Sequence, residues 1–158
     1  MTNAKLLRLL CATSILFCFA TTARAQVSSL NPSAPGINPW TQDQLLAPAT
    51  LGEQLKANKP HALILNIGKV EDIKNAKHIG AANQKENLDK LTKEVSPLPR
   101  NTELIIYCGC CPLATKCPNV RPAFLELKRL GFTNIRVLNL PTNLQTDWIS
   151  KGYPLAEK

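Results

Sequence analysis

The chain has 158 residues, a length that suits one domain and is short for two. Hydrophobic residues make up 44% of it and charged residues 19%, which excludes a disordered or collagen-like chain. The formal net charge is +8, yet the sequence has neither a lysine–arginine tract nor a basic stripe with interleaved aromatic residues. We therefore expect no nucleic-acid binding, although a mild positive balance suits a small anionic substrate.

The N-terminal segment is typical of an export signal. Lys5 and Arg8 precede an apolar run over residues 9–20, which is too short to span a bilayer. An Ala-x-Ala motif ending at Ala25 follows, as signal peptidase requires. We expect a cleaved signal peptide over residues 1–25, a secreted or periplasmic protein and no stable membrane anchor after cleavage.

The rest of the chain predicts an extended linker and one α/β domain. Residues 26–39 are rich in proline, serine and asparagine, as linkers are, and we place the domain at residues 40–158. Strands alternating with helices predict a mainly parallel central sheet flanked by helices on both faces. In chain order, the predicted elements are a helix opening at Thr50 and ending near Asn58, a strand at 62–67, a helix carrying Leu88, Leu91 and Val95, a strand at 103–107, a helix capped by Asn119 and ended by Gly131, a strand at 134–140, and a last helix opening at Thr142 and closing at Gly152.

Four of the six cysteines lie outside the signal peptide, and they fall within ten residues: Cys108, Cys110, Cys111 and Cys117. Export implies an oxidising compartment, where cysteines usually form a disulfide framework. Cysteines this close together cannot link distant parts of a fold. The cluster therefore points to chemistry at one loop.

Cys108 is the predicted nucleophile. It closes a buried strand, and the loop after it leads into a helix, which is where α/β sheets bind their ligands. Backbone N–H groups and the positive end of a helix dipole favour a thiolate there. Lys116 and Arg121 add positive charge, so we expect the loop to bind an anion as well.

Three interpretations of Cys110, Cys111 and Cys117 stay open. Cys117 could form a local disulfide with Cys110 or Cys111, or one of the three could act as a resolving thiol that attacks an oxidised or persulfidated Cys108. The third is a soft-metal site, for copper or zinc, made by all four thiolates. Adjacent cysteines do not easily occupy two corners of a tetrahedron, so we expect no metal and no cofactor.

Five segments, in order, resemble the rhodanese-like family of sulfurtransferases and together span roughly residues 45–156. They are LILNI (63–67), KHIGAAN (77–83), IIYC (105–108), LKRLGFTNIRVL (127–138) and DWISKGYPL (147–155). The resemblance implies a single rhodanese-like domain, expected to be a monomer. It also implies an enzyme in which Cys108 accepts sulfane sulfur as a persulfide and passes it to a thiophilic acceptor.

The resemblance also shows where this chain differs from the family. The usual Asp and Arg after the first strand are Asn66 and Gly68, and Asn119-Val120 replaces the Arg-Ser that commonly ends a shorter loop. The loop lacks the Cys-x5-Arg of related phosphatases, which makes phosphatase activity unexpected. We expect Gly109, Cys110, Cys111, Lys116 and Arg121 to hold a small anionic sulfur donor.

Overall fold

The computed structural model describes residues 38–59, 62–113 and 117–157. Within these ranges five strands form one sheet in the order β1-β5-β4-β2-β3, and every pair of neighbouring strands is parallel. The strands are β1 (Leu45–Leu46), β2 (Leu63–Asn66), β3 (Ala76–His78), β4 (Leu104–Tyr107) and β5 (Ile135–Leu138). The helices are α1 (Pro48–Lys56), α2 (Lys85–Val95), α3 (Val120–Arg129) and α4 (Leu144–Asp147), with single 3-10 turns at Gln42–Gln44 and Ile149–Lys151.

Helices cover both faces of the sheet, as the sequence predicts. One apolar core lies between the sheet and helices α2 and α3, and includes Leu91 and Phe124. The other lies between the sheet and helices α1 and α4, and includes Leu51, Leu144 and the fully buried Trp148. Because both faces are covered, β2 and β4 are apolar along most of their length.

The central strand β4 positions the residues that follow it. It lies between β2 and β5, and all four of its residues are buried. Its register aligns Ile106 with Leu65 on one side and with Val137 on the other. Parallel strands bring their carboxyl ends to one edge, so the chain after Tyr107 emerges in the middle of that edge.

The structure corrects several predicted elements. Helix α1 begins at Pro48 rather than Thr50, because proline is favoured in the first turn of a helix. Helix α4 is only one turn long, and Asn143 caps it in place of Thr142 by accepting a hydrogen bond from the Thr146 N–H at 2.8 Å. The two edge strands were not predicted, since β1 has two residues and β3 is largely exposed.

Some predictions lie outside the described residues. These include the signal peptide over residues 1–25, most of the 26–39 linker, and Lys116. In the part of the chain that the structure describes, no helix is both long enough and apolar enough to cross a membrane.

Candidate active site

Cys108 lies at the carboxyl end of the central strand. It follows the last residue of β4, and only 3% of its surface is exposed. The next residue, Gly109, has a φ of +70°, a left-handed conformation that glycine adopts without strain. Its carbonyl oxygen accepts a hydrogen bond from the Leu144 N–H at 2.8 Å, which ties the start of the loop to helix α4. The thiol is therefore held by a short turn at the sheet edge.

The loop brings its four sulfur atoms together. All four Sγ atoms lie within 4.8 Å of one another, with 3.0 Å between Cys108 and Cys110 and 3.2 Å between Cys110 and Cys111. Cys108 is buried, Cys110 is exposed, and Cys111 and Cys117 are half-buried. None of these four cysteines forms a disulfide in the described structure. The pairing of Cys117 with Cys110 or Cys111 stays a prediction.

Asn119 contacts the thiol directly, a role that the sequence did not reveal. It occupies the predicted N-cap position of helix α3, but its side chain makes no capping hydrogen bond. Instead Nδ2 donates to Sγ of Cys108 at 3.1 Å, and Oδ1 accepts from the Asn83 N–H at 3.0 Å. An asparagine before a helix is usually a cap, so local sequence offered no signal for this contact.

Hydrogen bonds lower the pKa of Cys108 from an ordinary 9.0 to about 5. The largest contribution is the bond from the Cys117 side chain. Asn119 and the backbone and side chain of Cys110 add to it, while burial opposes the shift. Each of these donors stabilises the thiolate, which is the form that reacts. Hydrogen bonds thus account for the lowered pKa, whereas the sequence pointed to a helix dipole and positive charge.

The neighbouring thiols behave in the opposite way. Burial, together with hydrogen bonds to Cys108 and Cys111, raises the pKa of Cys110 to about 12. The pKa of Cys117 is also raised, first by its bond to Cys108 and then by burial, although the N–H groups of Asn119 and Val120 oppose the shift. One buried thiolate is thus surrounded by thiols that keep their protons and donate to it.

Gly68 packs against Cys108 from the end of strand β2. A Cβ atom at position 68 would collide with the carbonyl oxygen of Cys108 and lie 3.0 Å from its Sγ. The turn that holds Gly68 is closed by the fully buried Asn66, whose Oδ1 accepts the Gly68 N–H at 3.0 Å. Asn66 therefore holds the turn in which Gly68 lies against the candidate nucleophile.

A pocket of about 470 Å³ adjoins the exposed side of the loop. Gly109 and Cys110 form one wall, and the segment after β2 and the start of α4 form the others. Lys69 and Glu71, which the sequence did not single out, bring one charge of each sign to the lining of this pocket. Arg121 is half-buried in the first turn of helix α3. Of the residues that the sequence predicts for the site, the four cysteines and Gly109 lie together in the structure.

A comparison with solved structures agrees with this architecture. No family model and no curated protein matches the chain. A parallel sheet covered on both faces, with a buried thiol after its central strand, defines an α/β domain with its candidate site at the carboxyl edge. The chain is similar to the solution NMR structure of a rhodanese-like domain from Anabaena sp., with a TM-score of 0.52 and 17% sequence identity over 71% of this chain and 77% of that chain. The protein therefore has a rhodanese-like fold, as its sequence segments suggested.

Proposed function

We propose that this protein is a sulfurtransferase that carries sulfane sulfur as a persulfide on Cys108. The observation that carries the proposal is geometric: Sγ of Cys108 lies buried at the end of the central strand and accepts a hydrogen bond from Asn119 at 3.1 Å. The lowered pKa of this thiol supports the proposal, since a value near 5 leaves it ionised at neutral pH.

The chemistry needs one nucleophile and no general base. The Cys108 thiolate attacks the outer sulfur of an anionic donor such as thiosulfate, and a new S–S bond forms as the donor's S–S bond breaks. The bonding electron pair leaves with sulfite. A thiophilic acceptor then attacks the outer sulfur of the persulfide, and Cys108 leaves again as a thiolate. No external oxidant or reductant is consumed.

The residues around Cys108 would stabilise both the thiolate and the persulfide anion of this residue. Asn119 and the N–H of Cys110 donate to Sγ, and the Cys117 thiol adds a third donor. We propose that the donor enters through the pocket beside Gly109 and Cys110, on the side of Lys69 and away from Glu71. We also propose that the donor is bound by Cys111 and Lys116 of the loop and by Arg121 at the start of helix α3.

Replacement of the nucleophile tests the proposal. Cys108→Ser should abolish thiocyanate formation from cyanide with thiosulfate and with other sulfane donors, because a serine hydroxyl is not ionised at neutral pH. Far-UV circular dichroism should be unchanged, since serine is close to isosteric. Peptide mapping by mass spectrometry should place one added sulfur atom on Cys108 of the wild-type protein. Sulfur found instead on Cys110, Cys111 or Cys117 would move the nucleophile along the loop and contradict the assignment.

We further propose that the reaction takes place outside the cytoplasm. The support is the basic, apolar and Ala-x-Ala succession that ends at Ala25. N-terminal sequencing of the native protein should begin at Gln26. A chain that retains Met1 or Thr2 would contradict export.

A further inference from the structure

The four loop cysteines form a compact donor set made of sulfur alone. Their Sγ atoms lie within 4.8 Å of one another, and no other group of three or more His, Cys, Asp or Glu side chains within the described ranges could hold an ion. A tetrahedral ion with metal–sulfur bonds of about 2.3 Å holds its sulfur ligands about 3.8 Å apart. The spacing in the loop is close enough that small side-chain rotations would produce such a shell.

The sequence argues against a metal in two ways, because it has no recurrent Cys-x-x-Cys pair and because Cys110 and Cys111 are adjacent. In the structure their Sγ atoms are 3.2 Å apart, and both belong to the same cluster as the sulfurs of Cys108 and Cys117. The turn after Gly109 thus directs two neighbouring side chains to one side of the loop. The stereochemical objection does not hold for this conformation.

We propose that the loop binds one soft d10 cation, Cu(I) or Zn²⁺, through the thiolates of Cys108, Cys110, Cys111 and Cys117. Thiolate sulfur is the ligand that both ions favour, and the set contains no carboxylate or imidazole that would suit a harder ion. Any of the four sulfurs that carries a proton releases it to solvent as the ion binds, so no oxidant or reductant takes part. Exposed Cys110 provides the entry path.

An outer shell of hydrogen-bond donors already faces two of the proposed ligands. Asn119 donates from Nδ2 to Sγ of Cys108, while the backbone N–H groups of Asn119 and Val120 donate to Cys117. Donors in these positions orient thiolate ligands and offset their charge, as outer-shell groups do in metal sites. The first turn of helix α3 adds the positive end of its dipole.

Metal binding and persulfide formation would exclude each other. Both use Sγ of Cys108, so a loaded loop has no nucleophile to offer a sulfur donor. The metal site does not depend on the sulfurtransferase proposal, because it requires the positions of the sulfurs and no turnover. Metal affinity and thiocyanate formation measured on the same preparation therefore distinguish failure of one proposal from failure of the other.

Anaerobic titration of the reduced chain tests the site, with the unprocessed form (residues 1–158) used so that Cys11 and Cys18 are present for the control. Cu(I) is titrated against a chromogenic Cu(I) chelator and Zn²⁺ against a zinc indicator, and Co²⁺ serves as a spectroscopic probe of the ligands. We expect one equivalent of Cu(I) or Zn²⁺, and a sulfur-to-cobalt charge-transfer band with the intense visible bands of a tetrahedral site. Cys108→Ser and Cys117→Ser should each weaken binding by more than the roughly 10- to 100-fold that loss of an outer-shell partner costs.

The two cysteines of the N-terminal segment provide a matched control. The Cys11→Ser/Cys18→Ser double variant removes two thiols and should keep the stoichiometry and affinity of the wild-type chain. Circular dichroism of each variant confirms that it is folded. The proposal is overturned if neither ion binds, if binding survives in folded Cys108→Ser and Cys117→Ser variants, or if it is lost in the control.

Discussion

Asn119 donates a hydrogen bond from Nδ2 to Sγ of Cys108 across 3.1 Å, although the two residues are eleven positions apart in the chain. Both side chains are buried, and Oδ1 of Asn119 is held by the N–H of Asn83. The amide is therefore fixed with its donor directed at the sulfur. A donor held in this way stabilises a thiolate without needing a positive charge.

Asn119→Asp should raise the pKa of Cys108, because a carboxylate neither donates to the sulfur nor tolerates a thiolate beside it. We expect an increase of at least about one pKa unit, since hydrogen bonds to charged groups contribute about 1.5–3 kcal/mol and one unit corresponds to 1.36 kcal/mol. The measurement is the pH dependence of Cys108 alkylation, followed by mass spectrometry with a chelator present.

Asn134→Asp controls for the change in charge. Asn134 is exposed and precedes β5, at the opposite edge of the sheet from Cys108. This variant should leave the alkylation profile unchanged. An equal shift in both variants would show that the effect is not due to the contact with Cys108.

Cys117 should act through its hydrogen bond to Cys108, which makes the largest contribution to the lowered pKa of that thiol. Cys117→Ala removes the donor and should raise the pKa of Cys108, whereas Cys117→Ser keeps a hydroxyl donor and should raise it less. The alkylation profile of Cys108 measures both. Equal profiles for the Ala and Ser variants would show that the hydrogen bond does not control this pKa.

Cys110, Cys111 and Cys117 should change the rate of sulfur transfer without carrying the sulfur themselves. We expect the Cys110→Ser/Cys111→Ser/Cys117→Ser variant to form a persulfide on Cys108, since serine hydroxyls can still donate to its Sγ. Mass spectrometry after incubation with thiosulfate is the measurement. Loss of persulfide in this folded triple variant would assign a necessary step to one of the three cysteines.

Gly68→Ala should both destabilise the protein and disturb Cys108. The new methyl group would meet the carbonyl oxygen at the end of strand β4, which is backbone and cannot turn aside. Overpacking of this kind costs about 1–3 kcal/mol, measurable as a lower urea midpoint. Gly52→Ala is the matched control, because its methyl group would meet the Tyr153 ring instead. Both variants should lose stability, but only Gly68→Ala should change the rate of Cys108 alkylation.

The shifted pKa values of Cys108 and Cys110 predict how the free energy of unfolding depends on pH. Cys108 has a pKa near 5 in the folded protein against an ordinary 9.0, so the unfolded chain binds more protons between these values. Its contribution is fully present above pH 9 and is lost as pH falls toward 5. The raised pKa of Cys110 acts in the opposite sense, and its contribution is lost as pH rises above 9.

Urea unfolding of wild type and Cys108→Ser over this pH range measures the effect, with reductant and chelator present. The free energy of unfolding of the wild type should rise more steeply with pH between 5 and 9 than that of the variant. Parallel profiles would show that Cys108 does not titrate differently in the two states.

The amino-acid sequence by itself determined the architecture and the position of the candidate nucleophile. The apolar runs over residues 62–67 and 103–107 predict strands buried on both faces, because few other structures bury every side chain of so short a segment. Once 103–107 is a central strand, Cys108 must lie at its carboxyl end. The clustering of the cysteines is likewise visible in the sequence alone.

Only the tertiary structure decided what surrounds the thiol. Asn119 reaches Sγ of Cys108 because helix α3 begins beside strand β4, and Gly68 meets Cys108 because β2 and β4 are neighbours in the sheet. Neither contact follows a local periodicity. Local patterns specify strands and helices through hydrogen bonding and burial, whereas contacts between elements depend on how the whole chain packs, and the environment of Cys108 consists of such contacts.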